Sequence, residues 1–154
     1  VSKKIIISDT NIIIYLGIDG IFEKFCSQFE VYITDDVLDE INNGRASRKE
    51  AKEIFYKAYT QGQVKIARLT NNQKIFRDDL MGRKTKIGKG EASSIAIVYD
   101  QINYIFATND NRALDVAKDL LGSQQIACCD DILAAISSII SNEELAMIKK
   151  LINE

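Results

Sequence analysis

Short apolar runs alternate with segments of helical periodicity along the whole chain, and this alternation is what most constrains the fold. The runs are "KKIIIS" (3–8), "EVYIT" (30–34), "VKIARL" (64–69), "YIFAT" (104–108) and "QIACC" (125–129). Runs of this length and character read as strands covered on both faces. Helical segments are expected between them, over 10–17, 20–29, 36–42, 45–60, 71–80, 91–101, 111–121 and 131–140, with a loop over 82–90. In the segment 91–101, Ala92, Ile95, Ala96 and Tyr99 recur at i, i+3, i+4 and i+7, a buried stripe. Phe22, Phe25 and Phe29 fall on one face of 20–29. A last helix over 142–152 opens with a capping box, Ser141-x-x-Glu144, and its Leu145, Ile148, Leu151 and Ile152 should pack on the body. The pattern predicts an α/β fold: a three-layer α/β/α sandwich with a mainly parallel central sheet. A length of 154 residues suits one domain, 1–154.

What is missing narrows the chemistry. The chain has no histidine, which removes Ser-His-Asp triads, Cys-His pairs, paired-histidine ribonuclease chemistry and the usual zinc sites. An enzyme built from this sequence must use carboxylates, lysine or a hard metal ion. The net charge of −2 means that nucleic-acid binding would depend on local basic patches or on bound metal. Cys26, Cys128 and Cys129 are odd in number and form no CxxC, so they read as reduced, mostly buried thiols of a cytoplasmic protein. No apolar run approaches the roughly 18–20 residues of a membrane span, and no signal peptide is visible.

In parallel sheets, function gathers where the strands end. Asp9-Thr10-Asn11 follows the first strand, and Thr108-Asn109-Asp110 ends the fourth. Glu40 borders the apolar arc of Val37, Leu38 and Ile41 at ~100° per residue, while Asp36 and Asp39 point progressively away from it. Glu91 stands at the head of the 91–101 stripe. Each acid alone is an ordinary helix cap, a favourable charge at a helix start or a solvated side chain. Four of them at one sheet edge would repel each other unless a cation joined them. Oxygen donors of this kind suit Mg²⁺ or Mn²⁺.

"IISDTNIII", "ITDDVLDEI", "GKGEASSIAIV" and "FATNDNRALDVA", in this order, resemble the four acidic motifs of the PIN-domain nucleases over nearly the whole chain. Carried over, Asp9, Glu40, Glu91 and Asp110 would be the catalytic acidic cluster, with Asp9, Glu91 and Asp110 as metal ligands and Asn11 and Thr108 as polar supports. The resemblance implies Mg²⁺- or Mn²⁺-dependent hydrolysis of phosphodiesters, usually in RNA. Many small members are the toxins of toxin–antitoxin pairs, which implies a small antitoxin protein as partner, while others process ribosomal RNA or take part in RNA quality control; small PIN domains often pair, which implies a second copy of the chain.

"GRKTKIGKG" (82–90) carries Arg83, Lys84, Lys86 and Lys89 without an acid, and it reads either as an RNA-phosphate contact loop or as a solvated charged loop. Arg112 is a further candidate for phosphate. Arg45, Arg48, Lys49 and Lys52 share their segment with Glu50 and Glu53 and read as a solvated face. Two other readings stand beside the nuclease. A haloacid-dehalogenase-like phosphohydrolase needs a second acid two residues after its nucleophile, where Asn11 stands. A catalytically silent PIN scaffold would bind RNA or protein alone.

Overall fold

A computed structural model describes residues 3–18, 20–43, 49–83 and 86–153. Its strands are β1 (Lys3–Ile7), β2 (Phe29–Thr34), β3 (Val64–Ala67), β4 (Tyr104–Ala107) and β5 (Ile126–Ala127). They form one parallel sheet in the order β3-β2-β1-β4-β5. β1 lies at the centre, with Ile5 opposite Val31 and Ile105, and Ile6 opposite Tyr32 and Phe106.

The helices are α1 (Thr10–Leu16), α2 (Ile21–Gln28), α3 (Asp35–Asn42), α4 (Lys49–Thr60), α5 (Asn71–Gly82), α6 (Lys89–Asp100), α7 (Asn111–Leu120), α8 (Cys129–Ile136) and α9 (Asn142–Ile152). Strand side chains alternate between the two faces. Ile5, Ile7, Val31 and Ile33 share one core with Ile13 of α1, Phe25 of α2, Phe55 of α4, Ile132 of α8 and Ile148 of α9. Ile6 and Phe106 share the other with Leu80 of α5, Ile95 of α6 and Ala113 and Ala117 of α7. The result is the expected three-layer sandwich, and the sheet is parallel throughout. The terminal helix packs as its pattern predicts, with Ile148 buried and the capping box at Ser141 formed. Among the described residues no helix is long and apolar enough to cross a membrane.

Several expectations are corrected. Tyr99 does not belong to the buried stripe; it is 54% exposed. Helix α6 is enclosed along its middle, so residues 92–98 are all buried, and its final turn leaves the body, where Tyr99 stacks on Phe76 at 4.7 Å. Asp36 does not face away from the core. It is 8% exposed, because Arg77 Nη1 of α5 meets its Oδ2 at 2.7 Å. Phe29 begins β2 rather than ending α2, yet it still packs on Phe25 at 4.9 Å. β3 stops at Ala67. The fifth strand shrinks to two residues, because Gln125 closes a 3₁₀ turn and Cys128 caps α8. The strongest consequence lies in the strand order. The chain runs from β1 outward to β3, then returns past β1 to β4, so connections leave β1 and β4 in opposite directions. A crevice opens at the carboxyl ends of such a pair.

Candidate active site

Asp9 and Asp110 flank that crevice, and the same local chemistry places both. Each sits in extended backbone just before a helix and accepts the backbone N–H two residues on: Asp9 Oδ1 from Asn11 at 2.8 Å, Asp110 Oδ1 from Arg112 at 2.8 Å. They are therefore N-caps of α1 and α7. The two strand ends are also tied to each other. Ser8 Oγ donates to the Ala107 carbonyl at 2.8 Å, and Asn109 N–H donates to Asp9 Oδ2 at 3.1 Å. Thr108, fully buried, accepts the Asp110 N–H on its hydroxyl at 3.1 Å.

Two glutamates complete the site from other elements. Glu91 lies in the first turn of α6, where its Oε1 accepts the Gly88 N–H at 3.1 Å. Glu40, on α3, accepts the Gly90 N–H on its Oε1 at 3.1 Å. All four acids line one cleft of about 410 Å³ with Ser8, Thr10, Asn11, Gly88 and Asn109. No lysine or arginine among the described residues lines it.

This much negative charge in one partly buried place has a cost that appears in the ionisation of the acids. Glu91 is pushed up to about 7, first by burial and then by Asp110, Asp9 and Glu40, with the Gly88 hydrogen bond opposing. Asp9 is also raised, by burial first and by Asp110, against its hydrogen bonds from Asn11 and Asn109. Behind Asp9 the buried Cys129 thiol is pushed up to about 12, by burial and then by Asp9, so it stays protonated. All three cysteines are free.

The donor set fits a hard divalent cation: carboxylates, hydroxyls and amide oxygens with no histidine or thiol in the cleft lining. As placed, no three acidic or thiol side chains among the described residues close on a single point. A backbone amide engages each of the four carboxylates.

The described residues among the expected substrate contacts do not line the cleft. Arg83 is paired with Asp79 at 2.8 Å, Lys89 Nζ faces Asp36 at 3.8 Å, and Lys86 and Arg112 are exposed outside it. Lys84 lies outside the described residues, as do Arg45 and Arg48. The support expected of Asn11 comes from its backbone N–H. Sequence reasoning noted Thr10 and Asn109 at the strand ends without giving them a role, and it gave none to Ser8, Gly88 or Gly90. Asn109 could have been found from its place between Thr108 and Asp110, and the two glycines from the Gly-x-Gly-Glu spacing at the head of α6.

A family model described as a PIN domain matches residues 5–122. The chain belongs to the PIN-domain family, whose fold and generally nuclease character agree with the sandwich and its acidic crevice. No curated protein matches the chain.

Proposed function

We propose that the protein is a metal-dependent endoribonuclease that hydrolyses RNA phosphodiester bonds at this cleft. The observation that carries the reading is the convergence of Asp9, Glu40, Glu91 and Asp110, from four separate elements, on the switch-point crevice. Mg²⁺ or Mn²⁺, when bound, supplies the missing positive charge, draws off charge from the phosphate and acidifies water.

The chain's own residues do the rest. Asp9, Glu91 and Asp110 are the holding groups, and Asp9 is pre-set by amides from two different segments. Thr108 fixes the backbone of Asp110. Glu40 stands at the head of α6, on the amide next to Glu91, where a carboxylate can orient the attacking water and take its proton as oxygen adds to phosphorus. The 3′ oxygen then leaves. Lys86, Lys89 and Arg112 stand outside the cleft, where they suit flanking phosphates better than the scissile one.

Cleavage of single-stranded and structured RNA is the test, with Mg²⁺ or Mn²⁺ supplied and a matched DNA strand alongside. The wild type should cut RNA, chelation should stop it, and Asp9→Asn should lower the rate by about a hundredfold or more. Equal cutting by both proteins, or by neither with either ion, sinks the reading.

A further inference from the structure

Helix α3 and the start of α6 meet at Gly90 with no room to spare. A Cβ built there would lie 2.9 Å from Glu40 Oε1, 3.0 Å from Val37 Cγ2 and 3.1 Å from Glu40 Cδ. Gly90 is not one of the positive-φ glycines, so space rather than backbone conformation demands it. Its N–H donates to Glu40, and its carbonyl accepts the buried hydroxyls of Ser93 and Ser94 at 2.8 Å each. Ser93 Oγ in turn lies 2.7 Å from the hydroxyl of Thr34, the cap of α3. Val37 and Ser93 are both fully buried and cannot retreat. An added methyl would therefore displace the end of the Glu40 side chain, its nearest contact, while the 3.0 Å contact with Val37 would strain the core by a smaller amount.

We propose that Gly90 is a positioning residue, whose bare Cα and N–H set where the Glu40 carboxylate stands relative to Glu91. The proposal rests on the nuclease reading of the cleft. Gly90→Ala is compared with wild type and with Gly82→Ala, whose Cβ would meet nothing within 4 Å and which controls for the gain in helix propensity. Gly90→Ala should stay folded by circular dichroism and hold KM for RNA within about twofold, while kcat falls about ten- to a hundredfold. Glu40→Asp shortens the crowded side chain by one methylene, and in the Gly90→Ala background it should recover part of that loss. A second readout needs neither metal nor RNA: hydrogen exchange at the Gly90 amide should speed up in Glu40→Ala, which removes its acceptor.

Wild-type kcat in Gly90→Ala overturns the proposal. So does an unfolded Gly90→Ala protein, because the strain then fell on the core. So does a Gly90 amide indifferent to Glu40→Ala. Should the wild type cleave no RNA, the nuclease reading falls by itself, and the amide comparison alone decides the Gly90 contact.

Discussion

Glu91 keeps its proton up to about neutral pH because burial and three neighbouring carboxylates disfavour its charge. The folded chain thus binds this proton more tightly than the unfolded chain does. The stability that follows is fully present below the ordinary glutamate value of 4.5 and is lost as pH rises through about 7. Asp9, also raised, acts in the same direction. In the presence of a chelator, the melting temperature should fall across this window, and Glu91→Gln, which cannot ionise, should fall less. A variant that tracks the wild type over the whole window would show that Glu91 does not carry the effect. Mn²⁺ at about a hundred times its dissociation constant should add about 2.7 kcal/mol of stability.

Between elements, the most buried ion pair among the described residues joins Asp36 of α3 to Arg77 of α5, with side chains only 9% and 11% exposed. Arg77→Met would leave Asp36 with Lys89, at 3.8 Å, as its ion-pair partner among the described residues. Stranding a buried carboxylate costs about 3 kcal/mol, and the double variant Asp36→Leu/Arg77→Met should recover most of it. Urea unfolding measures both, and a single variant within about 0.5 kcal/mol of wild type would mean that the pair does not hold α3 and α5 together. This pair also marks where the sequence stops being readable. Helical periodicity reports which face of α3 is apolar, and on that basis Asp36 pointed outward. It carries no information about what another helix brings to that face, and here an arginine 41 residues later makes an acid buriable. Tyr99 fails in the complementary way, because an apolar residue at core spacing has no core to enter once α6 runs past its neighbours. The acids at the strand ends were legible for the opposite reason. Their placement depends on local strand-to-helix chemistry and on the rule for parallel sheets, and both are written in a few consecutive residues. The amide contact that holds Glu40 was not legible, because it depends on how closely α3 and α6 approach, whereas the Gly88 contact of Glu91 is a local capping bond written in the Gly-x-Gly-Glu spacing.

At the scale of the whole molecule, the family match ends at residue 122, before β5, α8 and α9. These elements still bear on the cleft. β5 pairs with β4, and the Ala127 carbonyl receives the Thr108 N–H at 3.2 Å, steadying the residue that fixes Asp110. Three helices, α1, α6 and α7, begin at the same crevice, so their positive ends point into it. The acids mask that field. Removing the charge of the two aspartates while keeping their shape, as in Asp9→Asn/Asp110→Asn, should leave a crevice less repellent to phosphate, with Glu40 and Glu91 still in it. Fluorescence anisotropy in chelator should then show the double variant holding RNA about tenfold more tightly than the wild type, and equal or weaker binding would refute the expectation. On the proposed nuclease reading such a protein would be a trap: it would retain strands it cannot cut, and sequencing what it retains from a pool of cellular RNA would read out its targets directly.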